Sequence, residues 1–297
     1  MITRVQFTSS ATGTATFANP TTAGNLIVVF ISADGSNSSV PLSVALTGSS
    51  DTFTNDSSAA STNPTANITL SLWSDPDCSG GHTVITPTFS ASPAAVLIMA
   101  WEVSGAALTS PLVTQSSAAN PANTLQSAFD SGNGSSVQAG CWWAGAVTGV
   151  GSGGRAIPVP SGSWTTETPL QPGSLTEMLG AYEAGPGSGT PDYAGTFSAP
   201  VAGAYWASVV AAYAPAGAGV TGGVSTAALT APTGTLGADG NITGATPVTM
   251  AVTALTGAAQ SNAVKLSGPV SGMALSAYAG SVLTPRTTML LYTAVPL

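Results

Sequence analysis

Glu102 is the residue whose setting most suggests chemistry. It stands inside the apolar run Ala94-Ala95-Val96-Leu97-Ile98-Met99-Ala100-Trp101-Glu102-Val103-Ser104-Gly105. A carboxylate in such a run is costly to bury unless it is paired or hydrogen-bonded, and burial moves a carboxyl toward the range of a general acid. Glycoside hydrolysis uses two carboxyl groups facing one cleft. The other acids, such as Asp75, Asp77, Asp130, Glu167, Glu177, Glu183 and Asp192, fall in turns or near strand ends, and spacing assigns none of them as a partner. Glu102 is therefore expected to be structural, held by backbone amides, hydroxyls or one of the rare arginines.

The remaining candidates are weaker. Asp75-Pro76-Asp77 places two carboxylates around a rigid turn, as a calcium site needs, but calcium takes about 6–8 oxygens and no EF-hand or repeat motif supplies the rest. Residues 149–154 (GVGSGG) look like a phosphate cradle without the Lys-Ser/Thr ending or a following helix. His82 is the sole histidine, no G-x-S-x-G occurs, and no CxxC pair is present, so neither hydrolase chemistry nor zinc is expected. Cys78, in a polar turn, and Cys141, in an apolar strand, are expected to be free thiols. Of the six tryptophans, Trp142, Trp143 and Trp164 are the candidates to stack on a sugar, although core packing is the default for strand tryptophans. Trp142 and Trp143 are consecutive and would point to opposite faces of a strand. No cofactor is expected, and the chain reads as non-enzymatic.

These residues are positioned by strands. Apolar runs at residues 24–33, 94–105, 140–147 and 204–213 predict four strands covered on both faces, brought together by long-range pairing. Residues 42–47 and 68–73 alternate like half-exposed strands, and residues 82–89 do so with Pro87 pushing them toward an edge or bulge. Shorter strands are expected at residues 5–7, 14–17, 164–168 and 177–183, and a weak one at 124–129 within a polar surface excursion over 110–134. Turn formers recur roughly every 8–12 residues, and no capped helical stripe is present. The expected fold is all-β: a large jelly-roll-like β-sandwich at residues 1–213, a Gly/Ala/Pro linker at 214–223, and a small β-domain at 224–297. Within that last piece, strands are expected at 224–229, 248–255, 263–267 and 289–294, with a hairpin turn at Asp239-Gly240-Asn241.

Composition narrows the function. Only 5% of the 297 residues are charged and the net charge is -8, which argues against nucleic-acid or anionic-membrane binding. A hydrophobic content of 43%, clustered in strand-like runs, argues against disorder. The longest apolar runs are too short to span a bilayer, and the N-terminal stretch carries no secretory pattern.

The opening VQFTSSATGTATFANPTTAGNLIVVFISADG, with the later HTVITPTF and AWEVSG segments, resembles the N-terminal β-sandwich domain of virion proteins from phages of actinobacteria. The likeness covers roughly residues 1–215. It implies a structural protein assembled into the virion in the host cytoplasm: a minor tail protein, or alternatively a capsid decoration protein on the phage head. It brings no catalytic residues. Other virion proteins would be partners, the chain would form a homo-oligomer with a trimer among the options, and host-surface glycan is a further candidate ligand. A carbohydrate-binding adhesin is the alternative from a different class.

Overall fold

The computed structural model describes residues 2–35, 39–61, 67–121, 124–151, 157–171, 176–198, 204–216, 235–236 and 242–243. The chain divides into two compact units, Met1–Ala218 and Gly219–Leu297, so the boundary falls within the predicted linker. In the second unit, Thr235–Leu236 pairs antiparallel with Ile242–Thr243. The strands predicted there at 224–229, 248–255, 263–267 and 289–294, and the Asp239-Gly240-Asn241 turn, lie outside the described residues. Among the described residues there is no helix, and hence none able to cross a membrane. The fold is all-β, a sandwich built of packed antiparallel sheets.

The first unit contains one pattern twice. Its first half runs β1 (Thr3–Ser10), β2 (Ala15–Thr16), β3 (Leu26–Asp34), β4 (Ser43–Leu46), β5 (Thr54–Ser61), β6 (Ile68–Asp75), β7 (Val84–Thr88) and β8 (Ala95–Ser104). Its second half runs β9 (Leu112–Ala119), β10 (Ala128–Asp130), β11 (Trp142–Gly151), β12 (Ile157–Pro160), β13 (Thr165–Thr166), β14 (Thr176–Ala184), β15 (Ala194–Ser198) and β16 (Ala204–Tyr213). The first half forms sheets ordered β1-β8-β3-β6-β5 and β2-β7-β4, and the second forms β9-β16-β11-β14-β13 and β10-β15-β12. Adding eight to each strand number converts one half into the other. Strands one, eight, three and six in one sheet, with two, seven and four in the other, is jelly-roll order. The single large jelly roll expected from the sequence is thus a tandem pair of small ones.

Register confirms the equivalence. Leu26 pairs with Val103 as Trp142 pairs with Tyr213, aligning β3 with β11. The first strand of each half carries a bulge at one valine, Val5 or Val113, and the two are 49% and 46% exposed. The halves face each other across a pseudo-twofold axis. Ala107 N donates to Ala214 O (2.9 Å) and Ala216 N donates to Gly105 O (2.7 Å), a reciprocal pair flanking the Ala106–Pro215 bridge. Ser32 Oγ donates to Thr148 Oγ1 at 2.9 Å, and these residues occupy matching positions of β3 and β11. Reciprocal contacts of this kind define an isologous interface.

Four layers result. The two five-stranded sheets pack inner face to inner face, with Leu26, Phe30, Leu72, Met99 and Trp101 against Trp142, Met178, Val209 and Tyr213. Behind the first, Ile27, Val29, Ile31 and Ile98 meet Ala15, Val44, Leu46 and Ile85 of the small sheet. Behind the second, Val147, Leu179 and Val210 meet Phe129, Tyr193 and Phe197. Central strands covered on both faces are largely apolar, which is why β3, β8, β11 and β16 read as hydrophobic runs, and their few buried polar side chains, such as Ser32, Glu102 and Thr148, are hydrogen-bonded. At one edge, Arg4 clamps the repeats: it pairs with Glu167 Oε1 at 2.9 Å and lies over the Phe7 and Tyr182 rings.

Several sequence expectations change. Strand β6 was expected to be half exposed, but every residue in it is buried, because the small sheet covers its polar face; Trp73 Nε1 donates to Ser71 Oγ there (3.0 Å). Residues 110–134 are not one excursion, since β9 pairs with β16 from Leu112 to Ala119, interrupted only by the bulge at Val113. Pro87 lies in the central strand of its sheet, yet β2 is only two residues long, so Pro87 pairs with Val44 alone and its missing N–H faces no neighbour.

Where the halves differ in side-chain size, the difference is compensated. Val29 of the first corresponds to Gly145 of the second, and a Cβ on Gly145 would lie 2.5–2.8 Å from the Tyr193 ring and Cβ. Gly145→Ala is expected to destabilise the fold by about 1–3 kcal/mol through overpacking. Gly187→Ala, where a Cβ meets nothing within 4 Å, should be nearly neutral. Urea denaturation of both variants checks the pair, and equal midpoints would contradict the packing described.

Candidate functional site

Glu102 is fully buried, and both oxygens of its carboxylate accept hydrogen bonds. Oε1 accepts from Thr22 N (2.7 Å) and Asn25 Nδ2 (2.6 Å), while Oε2 accepts from Gln6 Nε2 (2.5 Å). Gln6 also binds both the carbonyl and the amide of Asn19. The residue thus ties β8 to β1 and to the loop entering β3. The register equivalent of Glu102 in the second half is Ala212, so the duplicated fold forms without this carboxylate. The arrangement is an anchor, with neither a free oxygen nor access for a substrate.

The predicted Asp75 and Asp77 lie near Asp51 at the same end of the first half. Asp75 is 5% exposed, and its Oδ2 has no hydrogen-bond partner. Burial, with the neighbouring Asp51 and Asp77 charges, outweighs the Asp77 amide bond and raises the Asp75 carboxyl to about 6. Asp51 accepts from Ser79 N through both oxygens (3.0 and 3.1 Å). Among the described residues no three His, Cys, Asp or Glu side chains are grouped to hold a metal ion. The thiols are free and buried, including Cys78, which the sequence placed in a polar turn. Burial pushes Cys78 up to about 11 and raises Cys141, so neither is a ready thiolate. Gly149 belongs to β11 and packs against Phe197, while residues 152–154 of the glycine loop lie outside the described residues. His82 is half-buried in the turn before β7.

Two further carboxyls sit in unfavourable surroundings. Asp56 accepts from Tyr213 Oη (2.8 Å) across the repeat interface, and burial raises its pKa despite that bond and one from Ser74. Asp192 is raised by burial and by the adjacent Asp130.

The three candidate tryptophans separate. Trp142 is fully buried, edge-on to Trp101 (6.3 Å) and stacked on Tyr182 (6.1 Å), so it offers no ring face to a ligand. Trp143 and Trp164 are half-buried on the opposite face of the second half, their ring centroids 6.4 Å apart at 45°. Trp164 also stands edge-on to Tyr193 at 5.0 Å. Trp143 pairs in register with Glu183, so the two side chains are cross-strand neighbours, and Glu183 Oε1 accepts from Ser163 Oγ (3.3 Å). Sequence spacing could not reveal Glu183 as a partner, because forty residues and a strand register separate it from Trp143. A shallow groove of about 490 Å³ lies elsewhere, along Leu125 to Asp130 and Trp206. Trp206 there is 5% exposed and its indole donates to Gln126 Oε1 (3.1 Å), leaving no free ring face.

No protein-family model, curated protein or solved structure matches this chain.

Asp75 gives a pH prediction. Its folded-state carboxyl holds a proton more tightly than the ordinary value of 3.8, so its contribution to stability is full below about 4 and is lost as pH rises through about 6. Asp75→Asn is expected to raise the melting temperature at pH 7.5 and to flatten the decline between pH 4 and 6. Thermal melts across that range decide it, and a variant with an unchanged profile would remove Asp75 as the source. Glu102→Ala, leaving three donors unpaired, is expected to cost roughly 3 kcal/mol or more by urea denaturation.

Proposed function

We propose that this protein is a structural, non-enzymatic component of a bacteriophage virion, a minor tail protein that docks on the particle through its uncharged strand faces. The observation that carries the reading is a tandem jelly roll whose described surface is nearly free of cations. Arg4 is the only Lys or Arg among the described residues, and it is engaged in the inter-repeat clamp. The outward row Ala128–Thr196–Val159 on the second small sheet is exposed, small and neutral. Charged residues are depleted at the centres of protein interfaces, so such faces suit packing against other subunits, including further copies of this chain. The resemblance of the opening segment to virion β-sandwich domains supports the same reading. The engagement of both Glu102 oxygens in structural hydrogen bonds and the burial of the thiols support a non-catalytic role.

Immunogold electron microscopy of virions of the encoding phage, with antibody against residues 1–218, tests this. Label at the tail is the expected result. Even label over the head would replace the tail assignment with capsid decoration, and particles without label would overturn the virion reading.

A further inference from the structure

The pseudo-twofold axis supplies an internal reference for each matched position: where the repeats differ while burial is kept, packing accounts for the exchange, and a position where exposure also differs asks for a further reason. One departure in which size and exposure change together is at the corner where the third and sixth strands of each repeat meet the residue leading into the fifth. In the first repeat the corner holds Ile27, paired in register with Asp75, and Phe53 immediately before β5. These are 0%, 5% and 7% exposed, and the corner is closed. In the second repeat the same positions hold Trp143, paired with Glu183, and Trp164 immediately before β13. All three are larger than their counterparts, and all three are half-buried with part of each residue open to solvent.

Enlarging a closed core position normally fills space; here the larger side chains accompany an opening. The result is two indoles tilted at 45° with a carboxylate and the Ser163 hydroxyl beside them. Tyr193 backs Trp164 from within, and Gly189, where a Cβ would lie 3.3 Å from the Trp143 ring, lets the chain pass close behind it. The rings are therefore held by packing. An indole face stacks on the C–H face of a pyranose, and a carboxylate with a hydroxyl accepts and donates to its ring hydroxyls. Charge selects further, because the net charge of -8 and the adjacent Glu183 disfavour an anionic sugar.

We propose that Trp143, Trp164, Glu183 and Ser163 form a binding site for a neutral saccharide, present in the second repeat only. The site stands whether or not the protein belongs to a virion. Tryptophan fluorescence of the full chain, titrated with neutral trisaccharides of glucose, galactose, mannose and N-acetylglucosamine and with trigalacturonate as the anionic control, reads it directly. A saturable change with at least one neutral trisaccharide, and none with trigalacturonate, is expected. Trp164→Ala and Glu183→Gln, both at the surface, should weaken it by about tenfold or more. Trp206→Phe should leave it unchanged. Melting curves verify that each variant is folded. The proposal is overturned if no neutral trisaccharide gives a saturable response, if trigalacturonate binds better, or if folded Trp164→Ala and Glu183→Gln bind as the parent does.

Discussion

The structure depends on the mutual burial of two sheet faces. A five-stranded sheet with Phe30, Leu72 and Trp101 on one side and Val29, Ile31 and Ile98 on the other cannot leave either face in water. Its own small sheet covers one face. The other is covered by the equivalent face of the second repeat. Each half is thus the lid of the other, and the pseudo-twofold contacts follow from that requirement, since two copies of one apolar face satisfy each other most simply about a dyad.

With the inner faces committed to apolar packing, polar groups inside have to be matched locally. Ser32 and Thr148 satisfy each other at equivalent positions, and Ser57, Ser61 and Ser117 reach across to Gln115, Asn120 and the Ser58 carbonyl. One edge of the interface is therefore a seam of hydroxyl and amide hydrogen bonds, with the Asp56–Tyr213 bond beside it. The other edge uses the Arg4–Glu167 pair, with Trp101 Nε1 also donating to Glu167 Oε1 (2.9 Å). An ion pair roofed by aromatic rings is screened less by solvent than one on the open surface. This division explains how a chain with so few charges still fixes the relation of its two halves.

The four central strands were legible in the sequence because burial on both faces removes ambiguity: an unbroken apolar run as short as Leu26 to Ile31 suits a doubly covered strand and little else. The edge strands were not. Thr54–Ser61 (TNDSSAAS) and Leu112–Ala119 (LVTQSSAA) carry little apolar signal, since their pairing depends on β6 and β16 rather than on their own propensity. The duplication was hidden for a related reason. Matching positions exchange large for small in compensating ways, Ala15 opposite Ile85 becoming Phe129 opposite Gly195, so the volume is kept while the letters change. Glu102 was legible as a buried carboxylate, but its three donors come from residues 77 to 96 positions away, and only the fold brings them together.

Duplication also changes what counts as a signal of function. A half-exposed aromatic on a sandwich is ordinary when taken alone, because much of any protein surface is apolar. Its twin across the dyad provides a reference from within the same chain. At most positions the repeats differ while burial is kept: Leu26 and Trp142 are both fully buried, as are Ile31 and Val147. Packing alone accounts for those exchanges. At Ile27/Trp143 and Phe53/Trp164 the second repeat carries the larger ring and the greater exposure; each indole still packs on the core behind it, so burial accounts for its inner part and not for the edge left in water. That exposed edge, beside Glu183 and Ser163, is the part of the second repeat with no counterpart in the first, and it is where the proposed saccharide would act.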